Sequence, residues 1–203
     1  MATKNLPAWF KPASLEWGIR KAGVQFSGPF NGTGQAVEFV AERWTLGITL
    51  PPRQRDDAGR VEALLNWLCG GVNRLRVYHL GSGSQTDAGT PRGTMRGLPV
   101  LAATALRGNA TLSLENCGAG ATLQAGDMIG CNQLFQIADD ATADGSGAMT
   151  VNLVNRVRAA TATGTAVVWS KPVADFALPA QTSVHAHVPA ILMGASFDLE
   201  ETW

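Results

Sequence analysis

Two stretches of alternating polar and apolar residues lie near opposite ends of the chain, and a strand of this kind needs a sheet to join. The first spans Gln35–Leu50, where the apolar residues occupy odd positions at Val37 and Phe39 and even positions from Trp44 onward. This change of parity predicts a half-buried strand with a bulge or sharp twist near Glu42–Trp44. The second stretch, Ile191–Leu199, alternates throughout. We expect it to pair with the N-terminal strands, so that both ends of the chain form one discontinuous domain.

A helix and a further strand follow the first stretch. Asp56 or Asp57 can cap the helix, and Gly70–Gly71 ends it. The apolar residues within it recur at the spacing of one helical face: Val61, Leu64, Leu65 and Leu68. Val72–Leu80 then alternates as a half-buried strand, with Leu75 and Val77 on the buried side.

The composition changes sharply at Gly81, where the segment GSGSQTDAGTPRG has no apolar periodicity and predicts a flexible linker over Gly81–Gly93. Beyond it, short apolar runs between turn signals predict about five short strands, which could close into a small OB-type barrel. We therefore predict a mainly β fold. Residues 1–91 and 172–203 form a discontinuous β-sandwich or barrel with one α-helix, and residues 92–171 form an inserted OB-like β-barrel.

The charge balance excludes some classes of partner. Lys plus Arg and Asp plus Glu both number 16, so the formal net charge is zero and no global field would recruit nucleic acid or an anionic membrane. Charged residues make up only 16% of the 203 residues, compared with about 25% in an ordinary soluble domain. This composition favours a protein whose surface is covered by partners.

The cysteines and the N-terminus indicate a reducing compartment and no membrane anchor. Cys69, Cys117 and Cys131 contain no CxxC pair, which argues against a disulfide framework and a zinc site. We expect them to be inert, with Cys69 inside the helix. Residues Met1–Pro12 lack the pattern of a signal peptide, and no apolar run approaches the roughly 20 residues that span a bilayer.

Residues that carry chemistry are sparse, and the sequence predicts no catalytic, metal or cofactor site. His185 and His187 lie two positions apart but lack a third ligand nearby, so we interpret them as loop histidines. Asp139, Asp140 and Asp144 resemble a cation-binding loop without its later glutamate, and a tight hairpin explains them better. We expect the chain not to be an enzyme.

Five segments, taken in order, carry a resemblance to a known family. They are RWTLGITLPP at Arg43–Pro52, the helix at Asp57–Leu68, NRLRVYHL at Asn73–Leu80, the block AGDMIGCNQLFQIADDATADGSGAMTVNLVNRVR, and the ending GASFDLEETW. Their order resembles the distal tail proteins of long, flexible-tailed bacteriophages (siphophages), in the branch with an OB-type module inserted in the ring-forming domain.

The resemblance implies a homohexameric ring in the virion, at the phage tail tip, assembled in the host cytoplasm. The ring would join the tail tube protein to the baseplate hub protein, with the tape measure protein and side tail fibres as further partners and DNA only in transit through the lumen. It implies no cofactor. Two alternatives stay open: a tail-tube or tube-completion protein, and a carbohydrate-binding baseplate module that uses exposed residues such as Trp169.

We place the inter-subunit surface on the alternating strands and on the strand after the helix. The residues chosen are Val37, Phe39, Trp44, Ile48, Arg74, Arg76, Phe197 and Trp203.

Overall fold

The computed structural model describes residues 1–27, 34–81, 83–84, 87–179, 187–188, 191–192 and 194–202. These residues form a mainly β fold with one helix, as predicted. In chain order the elements are β1 (Thr3–Asn5), β2 (Ser14–Ser27), β3 (Gly34–Leu50), β4 (Arg53–Gln54), α1 (Arg55–Leu68), β5 (Arg74–Tyr78), β6 (Gly83–Ser84), β7 (Asp87–Ala88), β8 (Val100–Leu101), β9 (Thr111–Glu115), β10 (Thr122–Leu123), β11 (Met128–Gly130), β12 (Leu134–Gln136), β13 (Ala141–Thr142), β14 (Met149–Asn152), β15 (Val173–Ala177), β16 (His187–Val188), β17 (Ile191–Leu192) and β18 (Ala195–Glu201).

The chain divides into two compact units, each made of separate stretches of sequence. Unit 1 comprises Met1–Arg20, Arg43–Val77 and Ala174–Trp203, and unit 2 comprises Lys21–Glu42 and Tyr78–Val173. This division differs from the predicted one at residues 21–42 and 78–91, which the sequence placed with the chain ends. Polar contacts from Glu38 and Glu42 to Arg156 attach residues 21–42 to unit 2.

The main sheet of unit 1 brings the two ends of the chain together. Among the described residues it has six strands in the order β1-β5-β15-β18-β3-β2. Strand β18 pairs antiparallel with β3, from Ala195 opposite Leu50 to Glu200 opposite Thr45. This pairing confirms that the last alternating stretch joins the N-terminal strands.

That last stretch is divided into two strands rather than one. Residues Ile191–Leu192 pair with β4 in a small sheet ordered β16-β17-β4, while β18 joins the main sheet. Gly194, between them, has a φ of 71°, a left-handed conformation that favours glycine and breaks the strand. The predicted strand over Ile191–Leu199 therefore ends at Leu192 and a new one begins at Ala195.

The core of unit 1 follows the predicted patterns. The even-numbered residues of β3 are buried from Trp44 to Leu50, and so are Leu75 and Val77 of β5. The ring of Trp17 meets that of Phe176 edge-on at 5.4 Å. The apolar face of α1 is buried as expected: Val61, Leu64, Leu65 and Leu68.

The start of α1 differs from the prediction. Gln54, in an extended conformation, is the N-cap residue and makes no side-chain capping bond. The prediction that Asp56 or Asp57 caps the helix is therefore wrong, because the helix begins two or three residues earlier than predicted, directly after β4. The end matches better, since Gly70 and Gly71 both have positive φ.

Unit 2 has a core of its own, built from short strands. Among the described residues its hydrogen-bonded strands form small sheets, with the orders β14-β9-β8, β10-β13, β11-β12 and β6-β7. Isolated bridges such as Gly130–Val168 and Ile137–Leu153 link further segments. Leu114, Leu123, Ile129 and Val151 are buried in one cluster. The closed OB-type barrel stays a prediction.

The segment predicted as a flexible linker is partly built into unit 2. Strands β6 and β7 pair with each other, and Gly93 and Met95 are buried. The buried carboxylate of Asp127 accepts the backbone N–H groups of Arg92 at 2.9 Å and Gly93 at 3.2 Å. The linker prediction is therefore wrong for residues 87–93. Its glycines allow close backbone approach there.

Candidate assembly surface

The outer halves of β2 and β3 form the most distinctive surface of unit 2. We call residues Lys21–Ser27 and Gly34–Glu42 the outer hairpin, because β2 and β3 are neighbours in the sheet. A Cβ added at Gly23 would lie 2.9 Å from the carbonyl oxygen of Val37, and one at Gly34 would lie 3.9 Å from that of Phe26. The two strands therefore run antiparallel.

One ion pair fixes which residues share a face of the outer hairpin. Nζ of Lys21 lies 2.9 Å from Oε1 of Glu38. Since side chains alternate along a strand, the odd residues of β2 and the even residues of β3 share one face. The other face then carries four large apolar side chains: Val24, Phe26, Val37 and Phe39.

The polar face of the outer hairpin contacts the rest of unit 2. Oε2 of Glu42 accepts the backbone N–H of Arg156 at 2.6 Å, and the Arg158 guanidinium donates to the Glu42 carbonyl at 2.9 Å. Arg156 also lies 3.6 Å from Glu38. Val40, on the same face, lies 3.9 Å from a Cβ added at Gly108. Glu42 is only 2% exposed.

The apolar face is the exposed one. Phe39 is 51% exposed and Phe26 is 58% exposed, and the exposed fractions of Val24 and Val37 are 43% and 39%. This reverses the usual arrangement, in which a β-ribbon turns its apolar face to the core and its polar face to solvent. A contiguous exposed apolar patch of this kind marks an interaction site.

The structure separates the predicted surface residues into distinct environments. Val37 and Phe39 lie on the exposed apolar face. Trp44 and Ile48 are 3% and 1% exposed, so their side chains belong to the core of unit 1. The prediction that they lie on the inter-subunit surface is corrected, because the even positions of β3 from Trp44 onward point into the core of unit 1. Trp203 lies outside the described residues.

The remaining predicted residues belong to unit 1, and two of them, Arg76 and Phe197, have side-chain partners within it. Arg76 donates two hydrogen bonds to Asp175, at 2.7 and 3.1 Å, and this carboxylate raises the pKa of Arg76 above its usual value. Arg74 is half-buried. Phe197 is also half-buried, with its ring 6.4 Å from that of Phe10.

Unit 1 also carries a groove of about 560 Å³, lined by residues of β2, β3 and β18. Glu200, which lines the groove, pairs with Arg20, also in the groove, and with Arg43. The carboxylates of Glu16 and Asp198 approach one glycine, since a Cβ added at Gly47 would lie 3.2 Å from Oδ1 of Asp198 and 3.6 Å from Oε2 of Glu16. The groove was not predicted from the sequence, although polar and apolar residues alternate along β18. In the part of the chain described by the structure, no three potential metal ligands lie together.

The aspartates of the predicted hairpin accept hydrogen bonds from other residues of unit 2. Oδ1 of Asp144 accepts the Ser146 hydroxyl at 2.6 Å and the backbone N–H of Ala148 at 3.0 Å. The Ser146 hydrogen bond is the main reason why the pKa of Asp144 is lowered. Asp140 accepts the N–H of Ala125, and Asp139 accepts the Asn152 side chain. The turn interpretation is confirmed for Asp144, whereas Asp140 binds the backbone of Ala125, which lies outside the predicted hairpin. His185 lies outside the described residues.

The cysteines form no disulfide with one another. Burial raises the pKa of Cys131 to about 11 and also raises that of Cys117. Cys69 is half-buried and is the C-cap residue of α1. It therefore lies directly after the helix and not inside it, as was predicted. The two buried thiols are structural hydrophobes.

Trp169, the residue that suggested a sugar-binding surface, is half-buried and packs against the core of unit 2. Its indole N–H donates to the carbonyl of Gly97 at 2.9 Å, and the Arg96 guanidinium lies 5.0 Å from its ring. The indole N–H of Trp169 and part of its ring are thus already in contact with other residues of unit 2. This geometry argues against an open stacking platform.

No protein-family model matches the sequence, and a comparison with curated proteins found no relative. Within the described residues, no helix has the length and hydropathy needed to cross a membrane.

Proposed function

We propose that this chain is an architectural, non-enzymatic protein of a phage tail tip, a distal tail protein that forms a ring. The single observation that carries the proposal is the reversed outer hairpin. Its charged face contacts its own unit, and its apolar face, with Phe39 51% exposed, is presented outward. A second copy of the chain is the partner for that face.

The size of the apolar face limits how much free energy it can contribute to the contact between two copies of the chain. Full burial of a Val or Phe side chain contributes about 1.5–3 kcal/mol. Because Val24, Phe26, Val37 and Phe39 are already about half buried, their face offers about 3–6 kcal/mol, whereas a micromolar complex needs about 8 kcal/mol. The apolar face alone would not hold a ring together.

The sheet edge is the second element of the proposed contact. β2 lies at the end of the six-strand order, so the N–H and C=O groups on its outer side can pair with a neighbouring copy. A contact of this head-to-tail kind closes into a ring when the rotation between copies is right. Six copies follow from the family resemblance.

The partners belong to the same proposal. The ring would lie in the virion between the tail tube protein and the baseplate hub protein, contact the tape measure protein and side tail fibres, and pass DNA only through its lumen. The zero net charge and the low share of charged residues support a surface that is largely covered in the assembly.

The oligomeric state of the purified chain tests the proposal. We expect rings by negative-stain microscopy and a matching mass by light scattering. Phe26→Ser combined with Phe39→Ser should shift the chain to monomers, because it removes the apolar face. Leu98→Ser is the matched control, since Leu98 is 86% exposed but lies outside the outer hairpin.

Two outcomes would contradict the proposal. One is a strict monomer at high concentration that binds neither tail tube nor hub protein. The other is an equal effect of the hairpin and Leu98 substitutions. A reconstruction of the phage particle then separates a tail-tip position, between tube and hub, from the tail-tube alternative.

A further inference from the structure

The contacts that hold the polar face of the outer hairpin come from one short segment of unit 2. Arg156 and Arg158 both contact Glu42, through a backbone N–H and a guanidinium respectively. Arg156 adds a weaker ion pair with Glu38 at 3.6 Å. We call the contacts of Glu42 and Glu38 with these two arginines the hairpin clamp.

The arginine side of the hairpin clamp is itself held in place. The side-chain amide of Gln133 donates to the carbonyl of Arg156 at 3.0 Å and accepts the N–H of Arg158 at 2.9 Å. Val157, between them, is buried. Just before them, the buried Asn155 donates to the carbonyl of Leu134 at 2.8 Å and accepts the N–H of Gln136 at 3.1 Å. The clamp therefore rests on the core of unit 2.

The hairpin clamp decides which face the outer hairpin presents. A two-stranded hairpin is marginally stable by itself in water, and its apolar face would tend to turn inward. A buried carboxylate such as Glu42 is stable only where hydrogen-bond donors meet it. The backbone N–H of Arg156 donates to this carboxylate, and the Arg158 guanidinium donates to the main-chain carbonyl of the same residue, so the polar face is the one held against unit 2.

We propose that residues 78–173 act as a brace for assembly: they hold the outer hairpin with its apolar face outward, ready for a second copy of the chain. This inference rests on the proposed function and assigns the inserted part of the chain a role in forming the ring. It requires no ligand of that part.

Hydrogen exchange of the monomer, at high dilution, tests the brace separately from assembly. Glu42→Gln removes the charge and keeps the shape of the side chain. Because the amide oxygen of the variant can still accept the Arg156 N–H, only the charge-assisted part of that hydrogen bond is lost, and we expect about tenfold faster amide exchange in Lys21–Ser27 and Gly34–Val40. Exchange in β9 and β14 should stay unchanged. Glu115→Gln, an exposed glutamate of β9, is the matched control.

A second variant covers the case in which Glu42→Gln loosens the whole of unit 2. Arg158→Ala removes the guanidinium that donates to the Glu42 carbonyl and leaves the Glu42 carboxylate its backbone contact with Arg156. Exchange in the outer hairpin should rise in this variant as well. Both variants should also raise the concentration needed for ring formation by about tenfold or more.

Unchanged hairpin exchange in both variants would overturn the brace, whatever the oligomeric state. Faster hairpin exchange with undiminished assembly would overturn it as well. A wild-type chain that never assembles would instead count against the proposed function, and the exchange of the monomer would still show whether the hairpin clamp holds.

Discussion

Ile48 of β3 lies directly opposite Phe197 of β18, although nearly the whole of unit 2 separates them in the sequence. The sheet of unit 1 therefore closes only after the last strand of the chain has been added. Strand β18 lies between β15 and β3 in that sheet, so the core of unit 1 depends on it from both sides.

Leu199 provides a direct test of this dependence. It is buried and lies opposite Leu46, so Leu199→Ala should lower the free energy of unfolding by about 2–5 kcal/mol in chemical denaturation. Val72→Ala, at a residue that is 63% exposed in the same unit, should change it by less than about 0.5 kcal/mol. Equal effects would show that β18 adds little to the core.

Gly93 tests the correction to the linker prediction. A Cβ added there would lie 2.1 Å from the carbonyl oxygen of Thr122, so Gly93→Ala should destabilise unit 2 by about 3 kcal/mol or more. Gly145→Ala is the control, because a Cβ at Gly145 meets nothing within 4 Å, and its thermal midpoint should match the wild type or exceed it slightly. If residue 93 were in a flexible linker, the two variants would melt alike.

The turn at Asp144 makes a prediction about pH. Its hydrogen bonds, first that from the Ser146 hydroxyl, lower the pKa of Asp144 below 3.8. A carboxyl group whose pKa is depressed in the folded state stabilises that state above its unfolded pKa, and the contribution is lost as the pH falls through the folded value. Carbon-detected NMR titration should show Asp144 titrating below pH 3.8, and Ser146→Ala should raise that midpoint. A wild-type midpoint at or above 3.8 would contradict this.

Thiol labelling tests the burial of the cysteines. Because burial raises the pKa of Cys131 to about 11 and raises that of Cys117, little thiolate forms at pH 8 and iodoacetamide should leave both unmodified in the native chain. In denaturant all three cysteines should react, as read by mass spectrometry. Native-state alkylation of Cys131 at the rate of a free thiol would show that its environment is not closed.

The periodic elements could be predicted from the sequence because each is decided locally. Leu75 and Val77 alternate with Arg74 and Arg76, and β5 buries the predicted pair. The glycines at turns were equally informative, since Gly118, Gly126 and Gly147 all adopt positive φ. Local pattern and local geometry agree at these positions.

The errors arose where a distant residue decides the outcome. The glycine-rich segment before Met95 looks flexible by composition, but the buried Asp127 binds the backbone of Gly93. The alternation of Val37 and Phe39 predicts that β3 has two different faces. It does not determine which face packs against the rest of unit 2. That choice depends on Arg156 and Arg158, far along the chain. Trp44 and Ile48 were misplaced for a different reason, because the even positions of β3 from Trp44 onward are buried in the core of unit 1.

Strands β2 and β3 each contribute residues to both compact units, and this has a consequence for how such proteins can diverge. A recombination that exchanged only residues 92–171 would also exchange Arg156, whose side chain pairs with that of Glu38 in the recipient. We expect exchange to succeed more often when the outer hairpin is transferred together with the segment. We therefore expect substitutions at Glu38 and Arg156 to be inherited together among relatives of this chain, even though the two residues lie far apart in the gene.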